Sequence, residues 1–354
     1  MKSSNRSSTC ERIINWIGLS KMLLFALILF FMIGGSVVRS TSSAEGSYSV
    51  PFSMNFCKQI DEKSHGLRNV IIVDDVYYGI VGESLFKFDQ NTDTEPALYC
   101  TVPVNDYWDE SFWKKSQADL SAEQLELLTN RIDRLAVGEG VIMGYNLLSG
   151  RVCEIVNNTV NWLPVKIDTS IFYRGNGIIS YFNPLYSFVL NHTLYMFGEN
   201  NNQVEPKSSA MALISFDLTT GQHQSFQIND ATNCCPYKDN QILLLCPVSN
   251  KKMKLCLLQT DTGEVSDMNI EIPFPDNSKN GKESIGGLAY DKDRDVIFFF
   301  VEGKVWKCKE HSELYSVELF DEYSSDYSFP AWTTSKGEYA IFMYGLLYIV
   351  DIAE

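Results

Sequence analysis

Between residues 284 and 319 the apolar and polar positions place four short strands one after another. Ile285–Tyr290 and Val296–Val301 are apolar runs parted by the charged cluster Asp291–Asp295, which is turn chemistry between two strands of one buried sheet. Glu302-Gly303 is a second tight turn, after which Val305–Cys308 starts a third strand and Tyr315–Leu319, alternating in and out, makes a fourth. Asp291, Asp293 and Asp295 have the look of a calcium-loop opening, yet its sixth position is Val296 instead of glycine and no helices flank it. A hairpin turn is the reading, and no metal site is expected there.

The rest of the chain repeats this unit. Runs at 69–73, 76–81, 84–88 and 97–102 form a first set, and runs at 134–137, 140–145, 151–156 and 160–167 a second. A third set uses 186–190, 193–197, 211–216 and 224–228, and a fourth uses 232–236, 241–246, 254–259 and 265–272. The unit at 284–319 is the fifth. Residues 328–333, 338–344 and 346–352 then supply three strands without a fourth, while 47–55, an alternating strand marked as an edge by Pro51, has no set of its own. If that strand completes the last set from the other end of the chain, the ring has no seam. One turn recurs, expected between third and fourth strands: Tyr145–Gly150, Phe216–Gly221 and, one residue shorter, Gln259–Gly263. Asn or Asp starts it, and glycine takes the positive-φ place. Four antiparallel strands in about forty residues is the size of a propeller blade, so the spacing predicts an all-β, six-bladed β-propeller of four-stranded antiparallel blades.

Residues 105–133 break the repeat between blades 1 and 2. Tyr107, Trp108, Phe112 and Trp113 crowd into seven residues, and Ser121-Ala-Glu-Gln124 has capping-box spacing, with Leu120 and Leu125 at the staple positions. Leu125, Leu128 and Ile132 continue one face, which predicts a single helix over 122–131.

Composition adds a location. Met22–Val38 is an uncharged apolar run after a basic segment, and Ser42-Ser43-Ala44 puts small residues where a signal peptidase cuts before Glu45. Residues 1–44 are therefore a signal peptide or, since 17 residues is short but sufficient, an uncleaved membrane anchor; residues 45–354 are the propeller and lie outside the cytoplasm. Residues 1–44 carry five basic residues and one acid, leaving 24 Lys+Arg against 43 Asp+Glu, a net charge of −19. That surface repels phosphates and anionic headgroups, so nucleic acid is excluded as a partner, and a membrane is met only through the N-terminal segment if it is not cleaved. Eight cysteines follow the leader, at 57, 100, 153, 234, 235, 246, 256 and 308. Disulfides and buried free thiols both remain open for them.

Gly287-Leu-Ala-Tyr-Asp291 through Val296-Ile297-Phe298, with the Asp217-Leu-Thr-Thr-Gly221 turn, resembles the six-bladed propellers of the TolB-like, NHL-repeat and YWTD-repeat type. The likeness spans about 310 residues as a pattern, with sharp motif similarity over about 30. The strict Tyr-Trp-Thr-Asp tetrapeptide and the NHL signature are missing, so no functional residue transfers from those families. Their members include binding scaffolds and enzymes, and the kinship does not choose between them.

Catalytic motifs give little. His65, His192, His223 and His311 lie in expected turns outside any metal-binding frame, and Cys308-Lys-Glu-His311 is at most half a zinc site. There is no nucleophile elbow, P-loop or dinucleotide fingerprint, so no catalytic residue, metal or cofactor is expected. Asn157-Asn-Thr159 and Asn191-His-Thr193 are glycosylation sequons, meaningful in a eukaryotic secretory pathway. The expected function is a binding or scaffold module at the cell envelope or outside the cell. Tyr107, Trp108, Phe112 and Trp113 are its candidate contacts to a protein or carbohydrate, against the alternative that they dock the insert on the blades. The competing readings are a hydrolase or lyase at the channel mouth and a sensor or accessory domain of an envelope complex.

Overall fold

Val296–Val301 shows why these apolar runs become strands with two buried faces. Ile297, Phe299 and Val301 enter one core against the preceding sheet, while Val296, Phe298 and Phe300 enter a second core against the following sheet. A strand with neighbours on both sides needs an unbroken apolar run in place of alternation.

The computed structural model describes residues 42–43, 46–53, 67–81, 84–89, 97–101, 121–122, 129–174, 179–180, 182–200, 210–228, 231–249, 252–273, 285–301, 303–309, 314–318, 330–343 and 346–352. The chain begins with β1 (Ser42–Ser43) and β2 (Gly46–Ser53). Blade 1 is β3 (Leu67–Val73), β4 (Val76–Val81), β5 (Ser84–Asp89) and β6 (Ala97–Thr101). Blade 2 is β7 (Arg134–Gly138), β8 (Val141–Tyr145), β9 (Arg151–Val156) and β10 (Thr159–Lys166). A 3-10 turn at Thr169–Ile171 and the short pair β11 (Tyr173–Arg174) and β12 (Ile179–Ser180) lie between blades 2 and 3. Blade 3 is β13 (Phe182–Leu190), β14 (Thr193–Asn200), β15 (Ala210–Asp217) and β16 (His223–Phe226). Blade 4 is β17 (Asn233–Pro236), β18 (Gln241–Ser249), β19 (Lys252–Gln259) and β20 (Val265–Pro273). Blade 5 is β21 (Ile285–Asp291), β22 (Val296–Val301), β23 (Lys304–Cys308) and β24 (Tyr315–Glu318), and β25 (Ala331–Thr333), β26 (Tyr339–Met343) and β27 (Leu346–Ile352) belong to blade 6.

Among the described residues these make six antiparallel sheets of four strands, blades 2 and 3 being joined by one parallel pair, Phe188 to Val137. Blade 6 obtains its fourth strand from the other end of the chain: β2 pairs antiparallel with β27, from Gly46 opposite Ile352 to Ser53 opposite Leu346. Pro51 falls where that register shifts, on the outer edge of the sheet, where its missing N–H costs no ladder bond. β1 adds a short parallel pairing to the edge of β24.

Among the described residues six cores, one at each junction, hold the ring together. Cys100, Leu135 and Cys153 lie between blades 1 and 2, Met143 and Met196 between 2 and 3, and Phe197 and Leu244 between 3 and 4. Leu245 and Phe299 lie between 4 and 5, Phe298 and Tyr339 between 5 and 6, and Ile72 and Leu347 between 6 and 1. On one face the first turns of blades 2 to 6 are linked in succession, and that of blade 6 reaches blade 1. Asn191 N donates to Glu139 Oε1 at 2.6 Å, Asn191 Nδ2 to Asn240 Oδ1 at 2.5 Å, and Lys238 Nζ lies 2.8 Å from Asp295 Oδ1. Arg294 Nη2 donates to Ser335 O at 2.9 Å, and Ser335 N to Asp75 Oδ1 at 2.7 Å, which joins blade 6 to blade 1.

The recurrent turn is real, but two of its expected features need correction. All three copies place a glycine N–H on the carbonyl four residues back, Gly150 on Asn146 (3.0 Å), Gly221 on Asp217 (2.9 Å) and Gly263 on Gln259 (2.8 Å), so the third is no shorter than the others. It looked shorter because Gln259 stands where Asn146 and Asp217 stand. Those two accept backbone N–H bonds through their own Oδ1, from Leu148 and Ser149 and from Thr219 and Thr220. In blade 2 the turn joins the second and third strands instead of the third and fourth. Asp291 forms a related turn, its Oδ1 accepting from Asp293 N and Arg294 N at 3.0 and 3.1 Å and its Oδ2 meeting Arg294 Nη1.

Candidate functional site

The first strand of every blade runs beside the axis. β3 lies against β7, β7 against β13, β13 against β17, β17 against β21 and β21 against β25. Each carries apolar residues because its side chains must enter the cores on either side; the inner edges of β3, β17, β21 and β25 have no ladder partner, while β7 and β13 share the one parallel pair. Together these strands wall a cavity of about 350 Å³, with one representative from each blade in Val70, Leu135, Phe188, Asn233, Leu288 and Trp332. No Asp, Glu, His, Lys or Arg is among the described residues that line it.

Among the described lining residues the hydrogen-bonded polar side chains gather in one arc. Asn233 is buried, 1% exposed. Tyr186 Oη donates to Asn233 Oδ1 at 2.7 Å and accepts the N–H of Cys234, and Leu288 N donates to the same Asn233 oxygen at 3.4 Å. The arrangement ties the inner strands of blades 3, 4 and 5 together and satisfies edge N–H groups that would otherwise lack partners. Beside it Tyr145 Oη and Ser187 Oγ share a buried hydrogen bond of 2.7 Å.

Burial decides the ionisation of this arc. It pushes the Cys234 thiol up to about 12, and it raises the Tyr186 phenol and the Cys235 thiol well above their usual values, with the neighbouring Cys234 adding to both. All three are neutral at physiological pH, so neither cysteine is a thiolate nucleophile there. The adjacent Cys234 and Cys235 point to opposite faces of β17, one into the core with blade 3 and the other into the core with blade 5. The seven described cysteines at 100, 153, 234, 235, 246, 256 and 308 are all buried and none forms a disulfide; Cys57 lies outside the described residues.

The residues singled out by sequence fare unevenly. Tyr107, Trp108, Phe112 and Trp113 lie outside the described residues, and of the helix expected over 122–131 Ala122, Thr129, Asn130 and Arg131 are described, the first three helical and Arg131 already in a bend. His192 sits in the β13–β14 turn as expected, whereas His223 opens strand β16; His65 and His311 lie outside the described residues. The axial arc of Tyr186, Asn233 and Cys234 was missed. Its one visible signal was an asparagine at the head of the otherwise apolar fourth-blade strand.

No family of proteins and no curated protein matches the sequence. Among solved structures the chain is similar to a streptogramin B lyase, at 10% identity over 87% of this chain and 98% of that one, with a TM-score of 0.49. It is also similar to a member of the DUF4221 family from Bacteroides vulgatus, at 10% identity over 88% and 100% of the chains, with a TM-score of 0.48. A third is the PQQ-bound aldose sugar dehydrogenase from Streptomyces coelicolor, at 9% identity over 87% and 99%, with a TM-score of 0.47.

Proposed function

We propose that this chain is an exported β-propeller that works as a binding or scaffold module at the cell envelope or outside the cell. The observation that carries the reading is the chemistry of the axial wall. A hydrolase or lyase working there needs an acid or base poised to move a proton, and the described lining offers only apolar side chains and neutral groups already bonded to one another. Export is supported by the apolar run at 22–38 and the small residues before Glu45. On this reading Tyr107, Trp108, Phe112 and Trp113 supply the contacts to a protein or carbohydrate partner, because rigid aromatic rings lose little side-chain entropy on binding.

The test is the double change Trp108→Ala with Trp113→Ala. Association with the co-purifying partner is abolished while the thermal midpoint stays within a few degrees. Unfolding of the double variant would make the rings packing residues. Turnover in a screen of glycosidase and esterase substrates, surviving the double change, would replace the binding reading with the hydrolase one.

A further inference from the structure

The axial cavity, at about 350 Å³, falls within the size range of small-molecule sites. We propose that it binds one small neutral molecule, mainly hydrocarbon with a single hydrogen-bonding group, of the size of a bicyclic aromatic. This deepens the binding-module reading and rests on it.

Three features of the wall select that ligand class. Val70, Leu135, Phe188, Leu288, Trp332 and Phe342 present apolar surface from five blades, which gains dispersion contacts from an apolar guest that water does not supply. The polar arc makes no demand for a charged ligand, since Tyr186, Asn233, Cys234 and Leu288 already satisfy each other. An ionised guest would lie in this wall without a counter-charge and without its hydration shell. A neutral guest with one carbonyl or hydroxyl avoids both losses. Its polar group meets the inner edges of the first strands, since β3, β17, β21 and β25 each end their sheets on the axial side.

The probe pair is 2-acetylnaphthalene, which is neutral, and its near-isosteric anion 2-naphthoate, titrated calorimetrically into the full chain. The neutral probe binds in one equivalent and raises the Tm, and the anion binds at least about tenfold more weakly. Val137→Trp, which places bulk on the wall from β7, abolishes the heat. Trp332→Phe keeps the wall and the heat but removes most of the quenching of tryptophan emission that the probe causes. Absence of binding, equal affinity for the anion, or quenching unchanged in Trp332→Phe would each overturn the inference. A partner still captured through Trp108 and Trp113 when the probe fails to bind leaves the binding-module reading standing, and catalytic turnover by a chain that does bind the probe removes that reading and spares the ligand class.

Discussion

Replacing Asp75 by glycine tests how firmly the ring is held shut between its last and first blades. The carboxylate accepts the Ser335 N–H through Oδ1 at 2.7 Å and the Ser335 hydroxyl through Oδ2, across 260 residues of chain. Asp75 is 9% exposed, so water replaces these bonds poorly. A hydrogen bond to a charged group contributes about 1.5 kcal/mol at the low end, which makes about 3 kcal/mol for the two. Asp75 also sits at φ 63, a conformation that glycine adopts without strain. The substitution therefore recovers up to about 1 kcal/mol, whereas alanine would add a strain of its own. The expected net loss is about 2 kcal/mol, read from urea unfolding followed by tryptophan emission with an unchanged m-value. Asp75→Asn tolerates the same φ and keeps one acceptor, so it loses roughly half as much. In the glycine background Ser335→Ala costs nothing further, because its hydroxyl has already lost its acceptor. A loss below about 0.5 kcal/mol for Asp75→Gly, or full additivity with Ser335→Ala, would refute the view that this contact closes the ring.

Three further outcomes are expected. Burial pushes the Cys153 and Cys234 thiols from 9.0 up to about 12, so the fold keeps protons that the unfolded chain releases. The contribution of these two thiols to stability is flat below about pH 9 and falls by about 1.4 kcal/mol per pH unit for each thiol as pH rises towards about 12; urea midpoints across that window show a shallower fall for Cys153→Ala with Cys234→Ala, and an unchanged slope counts against it. Gly287 has φ 62, and a methyl group there would strike the Tyr339 hydroxyl, which donates to the Gly287 carbonyl, so Gly287→Ala loses about 3 kcal/mol in the same assay. Intact-mass measurement of secreted protein finds an N-terminus at or near Glu45, and residues 2–21 retained on membrane-bound protein would favour the anchor.

Much of the architecture was legible because strand formation is a local matter. Apolar runs such as Ile242–Leu245 and Val296–Val301 need buried faces wherever they occur, and Asp74-Asp75, Asn157-Asn158 and Asn191-His192 can turn the chain at positive φ without instruction from elsewhere. The odd strand with Pro51 and the three-stranded last blade even told that the two ends of the chain would meet. Turn bookkeeping was less legible: Gln259 takes the backbone place of Asn146 and Asp217 without their side-chain bonds, and sequence shows only the missing Asn or Asp.

What the sequence could not decide was convergence. Tyr186, Asn233 and Leu288 are spaced by 47 and 55 residues, and only the radial order of the blades brings them to one arc. Asp75 is read along the chain as a turn residue, and its bond to Ser335 exists because the first and last blades are neighbours. The cysteines make the same point. Alternation along a strand puts Cys234 and Cys235 on opposite faces, but which sheet meets each face, and hence their burial as protonated thiols, follows from packing alone. Local pattern determined the strands and turns of this protein, because those depend on each residue's immediate neighbours; the axial cavity and its neutral wall were decided by the closing of six sheets around an axis, which no stretch of the chain encodes by itself.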